Sequence, residues 1–271
     1  MRDSADSVGD RNFSLRADLV ARQPWLTFLL PFIVYMALGS FEPAAPKPPL
    51  VLPDGSTKPA INQNWFGLEY RQYPVVYTIK IVLTIAAIAF VWPGYRQFPF
   101  RISSLAILVG VVGVVLWIVI CQMHIERQLL TPLGLDKFLE LGDRPAFNPL
   151  EELADTPIWA YTFLGIRFVG LALVVPLIEE FFLRGFIMRW AVREEWWEVP
   201  FGQLTPLAAV VGTAVPMLMH PGELLAALVW FSLVTWLMFR TKNIWDCVAA
   251  HAVTNLLLGI YVVTRHQWQL W

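Results

Sequence analysis

The sequence is poor in charge and in cysteine. Only 15% of its 271 residues are charged, whereas roughly a quarter are charged in soluble domains. The formal net charge of −1 provides no basic field for nucleic acid, so no nucleic-acid partner is expected. Cys121 and Cys247 are far apart and lack a C-x-x-C spacing. A disulfide framework or a zinc knuckle is therefore not expected.

Two common hydrolase motifs are also missing. No G-x-S-x-G is present, so the nucleophile elbow of serine hydrolases has no support. H-E-x-x-H is absent as well, which removes the usual helix of zinc proteases. We expect no cofactor and no bound metal.

Hydrophobic residues, in contrast, are abundant. They make up 57% of the chain, and the mean hydropathy is +0.55. Apolar runs of about twenty residues are typical of helices that cross a membrane. The sequence predicts an all-α, polytopic integral membrane protein, a bundle of about 7–8 transmembrane helices around a polar site. The predicted spans are 25–39, 74–92, 103–121, 158–190, 204–220, 223–239 and 244–264.

The segments outside these spans divide the chain. Residues 1–24 are polar and are interpreted as a cytoplasmic tail, and residues 25–154 as an N-terminal transmembrane region. The latter includes a Pro-rich stretch, 41–60, that we expect to be an extended surface loop because proline disfavours helix and sheet interiors. Lys and Arg are more frequent in the connections on the side of the N-terminus, which favours a cytoplasmic N-terminus.

Three charged residues interrupt the fourth predicted span. Glu179, Glu180 and Arg184 lie within VPLIEEFFLRGFIMRWAV. An ionisable side chain at membrane depth costs between about 2.5 and more than 10 kcal/mol. Glu180 and Arg184 are four residues apart, so they share a helix face and can pair. Glu179 is about 100° around the helix and is expected to point elsewhere. A purely structural ion pair is the alternative to a functional site.

Two further spans contribute polar side chains. His220 ends the fifth span, and His251 and Asn255 lie four residues apart on the seventh. Buried polar groups need partners, since each unmet group costs about 1–3 kcal/mol. We therefore expect these residues to meet the glutamates.

Such a group of side chains is suited to amide hydrolysis without a covalent intermediate. A carboxylic acid kept out of water holds a proton more tightly and can act as a general base near neutral pH. A histidine can help to hold the attacking water. A His and an Asn on one helix face can donate hydrogen bonds to the developing oxyanion.

Two other charges in predicted spans receive simpler interpretations. Lys80 is expected to extend its ammonium to the membrane interface. Arg167, three turns before Glu179, is expected to do the same or to pair with another group.

The polar residues resemble the motifs of the CPBP family, the CAAX prenyl protease and bacteriocin-processing group of intramembrane glutamic endopeptidases. Glu179-Glu180-Phe181-Phe182-Leu183-Arg184 matches the motif E-E-x-x-x-R. His220 corresponds to the histidine of F-x-x-x-H, and His251 with Asn255 matches H-x-x-x-N. The resemblance covers residues 155–265. One position departs from it, because Pro216 stands where the second motif has an aromatic residue.

The resemblance implies roles for these residues. Glu179 would be the base that activates water, with help from His220. His251 and Asn255 would form the oxyanion hole, and Glu180 with Arg184 would support the site. The resemblance further implies an endopeptidase of a bacterial inner (cytoplasmic) membrane, acting from within the lipid bilayer on membrane-associated peptides or proteins, with or without lipid modification. Its site would open towards the cytosol, whereas the predicted topology puts His220 towards the outer end of its span. A tilt or break at Pro216 would reconcile the two.

Two other functions are compatible with the same residues. One is a non-catalytic scaffold or immunity-type protein with the same fold. The other is a metal-dependent membrane hydrolase or ion carrier, since carboxylates and histidines also bind zinc and iron.

Overall fold

The structure is a computed structural model that describes residues 15–45, 50–51, 57–58, 66–134 and 146–271. Residues 1–14 of the predicted tail, and most of the predicted Pro-rich loop, lie outside the described residues.

The described residues are mainly helical. The helices are α1 (Leu15–Arg22), α2 (Pro24–Gly39), α3 (Tyr73–Tyr95), α4 (Ser104–Met123), α5 (Ile125–Leu130), α6 (Pro149–Glu152), α7 (Pro157–Trp190), α8 (Pro206–Met219), α9 (Leu224–Thr241) and α10 (Ile244–Arg265). Single 3₁₀ turns lie at Tyr70–Gln72, Thr131–Leu133, Trp196–Glu198 and Trp268–Leu270. Strands β1 (Leu50–Val51) and β2 (Thr57–Lys58) pair antiparallel. This small ladder lies inside the stretch predicted to be an extended loop without sheet, so that prediction is wrong for these four residues.

Five helices are long and apolar enough to cross a membrane: Tyr70–Tyr95, α4, α7, α9 and α10. They identify an integral membrane protein. Helices α1 and α2 meet at an angle of 94° and form at most one further, broken span. Helix α8 has 14 residues and is about 21 Å long, shorter than the roughly 30 Å hydrocarbon core of a bilayer. The described residues therefore provide five or six long spans, and the predicted total of seven to eight is not established.

Helix α7 lies between two hydrophobic cores. Ile178 and Phe181 belong to a core with residues of α2 and α3, whereas Leu183 and Met188 pack with residues of α4, α9 and α10. Two stretches of α7, Gly170–Val174 and Phe181–Ile187, are π-helical. Wider turns of this kind often occur at functional sites. The glutamates of α7 thus lie at the boundary between the two cores.

Close packing of α4 fixes the position of α10. A Cβ atom at Gly110 would lie 2.7 Å from the carbonyl oxygen of Ala250, so only glycine permits this approach. Thr254 then donates a hydrogen bond of 2.9 Å to the carbonyl oxygen of Gly110. Small residues and hydroxyl groups are the usual means by which membrane helices approach closely. This contact positions the helix that carries His251 and Asn255.

Candidate active site

Glu180 and Arg184 form an ion pair that is completely buried. Both residues have 0% exposure, and the Arg184 guanidinium donates to Glu180 Oε1 at 3.2 Å. Arg184 also donates to the carbonyl oxygen of Phe231 at 3.3 Å, and its guanidinium lies 5.4 Å from the Phe231 ring centre. The pairing expected from the four-residue spacing is therefore present. Additional contacts of this kind are needed before two buried charges can offset their desolvation.

His251 lies between the two glutamates. Its Nδ1 is 2.9 Å from Glu180 Oε1, and its Nε2 is 3.9 Å from Glu179 Oε2. A carboxylate can only accept, so Nδ1 carries the proton in this contact. Adjacent glutamates diverge around the helix, as expected, and Glu179 lies on the other side of the imidazole from Glu180. The two nitrogens of the ring therefore face one carboxylate each.

The two carboxylates differ in exposure. The side chain of Glu180 is 0% exposed, whereas that of Glu179 is 17% exposed. Glu180 is held by a guanidinium and an imidazole. Glu179 is therefore the carboxylate of this pair that a water molecule or a substrate can approach.

The ring of Phe231 connects the two histidines. It lies 6.2 Å from the ring centre of His251 and 5.5 Å from that of His220. Trp117 packs on His220 at 5.7 Å. His220 Nδ1 is 2.8 Å from the carbonyl oxygen of Pro216. Because a carbonyl only accepts, Nδ1 is the donor in this contact.

The expectation of a break at Pro216 is wrong, whereas a tilt stays a prediction. Helix α8 continues through Pro216 and ends at Met219, so His220 is its C-terminal cap. This position brings His220 to the same Phe231 ring that His251 contacts.

Asn255 is fixed by a backbone group of α7. Its Nδ2 donates to the carbonyl oxygen of Leu171 at 2.8 Å. Leu171 belongs to the π-helical stretch Gly170–Val174. An amide nitrogen has two donors, so this bond orients the side chain and leaves one donor for another partner.

Lys80 and Arg167 are both buried in the protein. Lys80 is 3% exposed and forms an ion pair with Glu42. The interpretation of Lys80 as an interfacial lysine stays a prediction. Arg167 is 5% exposed and donates to the carbonyl oxygen of Phe147 at 2.9 Å, which agrees with the alternative that it pairs. Glu42 follows the end of α2, and nothing in the linear sequence indicates that its carboxylate meets Lys80.

The sequence patterns also did not predict the roles of Phe231 and Leu171. The backbone carbonyl of each accepts a hydrogen bond from a site residue. Because every residue has a backbone carbonyl, the residue type does not predict such a contact. Within the described ranges, no group of three or more His, Cys, Asp or Glu side chains is placed to hold a metal ion.

The fold and the geometry together define an integral membrane protein with buried acid, histidine and asparagine side chains on α7 and α10. Residues 161–257 match the family model described as type II CAAX prenyl endopeptidase Rce1-like. The match confirms the resemblance to the CPBP family and includes all six residues of the motifs. Comparison with curated proteins found no match, and comparison with solved structures found none either.

Proposed function

We propose that this protein is an intramembrane endopeptidase in which Glu179 activates water to hydrolyse a peptide bond. Its substrates would be membrane-associated peptides or proteins, with or without lipid modification. One observation carries this proposal. His251 contacts both carboxylates, and only one of these, Glu179, retains exposure.

Glu179 is suited to the role of general base. It lies in an apolar membrane helix, and its side chain is partly exposed. A carboxylate in such surroundings has few competing hydrogen-bond partners, so it can accept a proton from a bound water. The hydroxide equivalent would attack the peptide carbonyl, and Glu179 would then pass its proton to the leaving nitrogen as the C–N bond breaks. His220, whose Nδ1 donates to Pro216, would help to hold the same water.

His251 and Asn255 are suited to stabilise the oxyanion. The bond from Nδ1 to Glu180 fixes the ring, so that Nε2 faces the side on which Glu179 lies. In the doubly protonated ring, Nε2–H would donate to the oxyanion. The N–H of the Asn255 amide that is not bonded to Leu171 would be the second donor to the oxyanion. Donors fixed before the reaction stabilise developing charge without reorganisation, and each contributes about 10²–10³ in kcat.

Their contacts give Glu180 and Arg184 a supporting role. Arg184 would hold the Glu180 carboxylate in place. Glu180 would keep the imidazole of His251 oriented, as the buried carboxylate of a catalytic triad does for its histidine. Neither Glu180 nor Arg184 is exposed to substrate.

The test is cleavage of fluorogenic peptides, prenylated and unprenylated, by purified protein in liposomes. Glu179→Gln, His220→Ala and His251→Ala should each lose cleavage while remaining folded. Glu194→Gln is the matched control, since Glu194 belongs to an exposed acidic pair near the end of α7. A chelator should have no effect. If the chelator abolishes cleavage, a metal-dependent hydrolase replaces the proposal. If folded wild-type protein cleaves no peptide of the panel, the scaffold alternative is favoured.

A further inference from the structure

Two buried cations lie beside the aromatic rings of α3. Lys80 on α3 is 3% exposed, and Arg167 on α7 is 5% exposed. Lys80 Nζ is 4.6 Å from the ring centre of Tyr77, and the Arg167 guanidinium is 5.9 Å from that of Tyr73. Lys80 pairs with the carboxylate of Glu42. Buried positive charges attract anions strongly.

The ammonium group of Lys80 lies in an aromatic cage. Its Nζ is 4.1 Å from the ring centre of Tyr35 and 4.6 Å from that of Tyr77. Glu42 Oε1 approaches the ammonium at 2.5 Å. The side chain of Glu42 is 20% exposed, whereas that of Lys80 is 4% exposed. The carboxylate therefore lies on the accessible side of the cage, with the ammonium behind it.

Two donors around the cage have no hydrogen-bond partner among the residues that the structure describes. Arg167 Nε and the Tyr77 hydroxyl are both buried and unsatisfied. Burying such a group without a partner costs about 1–3 kcal/mol. Arg167 instead uses its Nη1 on a backbone carbonyl and lies 4.6 Å from the ring centre of Trp271. The unused donors of Arg167 and Tyr77, near the Lys80 ammonium, indicate a binding site whose hydrogen-bond acceptor a ligand would supply.

The cage adjoins α7 through Tyr77. The Tyr77 hydroxyl contacts Gly170, where an added Cβ would lie 2.2 Å from it. The next residue is Leu171, whose carbonyl orients Asn255. A ligand at Lys80 would therefore lie beside the turn of α7 that holds Asn255 in the candidate site.

We propose that Lys80, supported by Arg167, binds a carboxylate of the peptide substrate, and that Glu42 occupies this position when no peptide is bound. Glu42 indicates the chemical class of the ligand, because the group that pairs with the Lys80 ammonium in this structure is a carboxylate. The substrate's carboxylate could belong to its C-terminus or to an acidic side chain. This inference deepens the proposed function and rests on it for the identity of the ligand as a substrate.

Binding measurements test the inference without cleavage. Glu179→Gln protein in zwitterionic nanodiscs would be titrated with three dansyl-labelled apolar hexapeptides: a free acid, the matching carboxamide, and a carboxamide with one internal glutamate. We expect at least one carboxylate-bearing peptide to bind about tenfold tighter than the plain carboxamide, as a charge-assisted contact provides. The peptide that shows the gain identifies the source of the carboxylate. Equal affinity for all three peptides would overturn the inference.

Second-site variants show whether Lys80 is responsible. Lys80→Met should remove the preference and Lys80→Arg should retain it, while Lys242→Met, a change at an exposed lysine, should leave it intact. Glu42→Gln should tighten the carboxylate-bearing peptide at least threefold and leave the carboxamide unchanged. If Lys80→Met does not fold, the Glu42→Gln result decides. A preference that persists in folded Lys80→Met, or an unchanged affinity in Glu42→Gln, refutes the assignment.

Cleavage by the wild-type protein separates this inference from the proposed function. If wild type cleaves none of the peptides but the carboxylate preference is present, the proposed protease activity fails and the anion site stands. If wild type cleaves all three and the preference is absent, the anion site alone is wrong.

Discussion

Replacing Arg184 with methionine would leave a carboxylate buried without its main counter-charge. Glu180 and Arg184 are both fully buried, with guanidinium and carboxylate 3.2 Å apart. In Arg184→Met, Glu180 would keep only the contact with His251. The hydrogen bond to the Phe231 carbonyl would be lost as well.

The expected loss of stability is about 3–5 kcal/mol, the usual cost of removing one member of a buried ion pair. The double variant Glu180→Gln/Arg184→Met removes the uncompensated charge together with its partner. It should therefore be more stable than Arg184→Met alone. The two single effects should not add, with an interaction free energy of at least about 1 kcal/mol.

The assay is reversible unfolding by SDS in mixed micelles, followed by tryptophan fluorescence, for wild type, both single variants and the double variant. The matched control is Arg193→Met, since Arg193 forms exposed ion pairs with Glu195 and Glu198 and surface pairs contribute about 0–1 kcal/mol. The account of the buried pair is refuted if the unfolding free energy of Arg184→Met lies within about 1 kcal/mol of the wild-type value. It is also refuted if the effects of the two single variants simply add.

Three further predictions concern packing, pH and catalysis. Gly113→Ala should destabilise by about 1–3 kcal/mol, because its Cβ would lie 2.1 Å from an indole carbon of α9. Gly165→Ala, with nothing within 4 Å of the added Cβ, should be neutral or stabilising in the same SDS unfolding assay. Glu126 accepts a hydrogen bond from the backbone N–H of Leu225, and burial raises the pKa of Glu126 above its ordinary 4.5. The folded protein thus binds this proton more tightly than the unfolded chain, so stability should fall as pH rises from 4.5 through the folded-state pKa. Glu126→Gln should flatten that dependence, and an unchanged pH profile would contradict it. Asn255→Ala should lower kcat for peptide cleavage about 10²-fold with little change in KM, whereas a rise in KM alone would contradict an oxyanion role.

The contacts that follow a simple helical rule could be predicted from the sequence. Glu180 and Arg184 are four residues apart, and one helical turn brings them together whatever the rest of the fold does. The expectation that polar groups of separate spans meet was fulfilled for His251, because a buried polar side chain needs a partner. The divergence of Glu179 from Glu180 also follows from helical geometry. That one imidazole lies between the two carboxylates could not be predicted, because it depends on how α10 packs against α7.

Contacts across long stretches of sequence could not be predicted. Lys80 meets Glu42, beyond the end of α2, only because α2 packs against α3. Hydropathy gives the depth of a segment and not its neighbours, so the linear sequence does not indicate this pair.

The central claim is the different role of two adjacent glutamates, and a matched pair of variants tests it most directly. Glu179→Gln and Glu180→Gln would be compared for kcat/KM on a cleaved peptide and for SDS unfolding free energy. We predict that Glu179→Gln folds like wild type and cleaves at least about 10²-fold more slowly. Glu180→Gln should lose stability, because it removes the counter-charge of Arg184. Cleavage at the wild-type rate by Glu179→Gln would contradict the account.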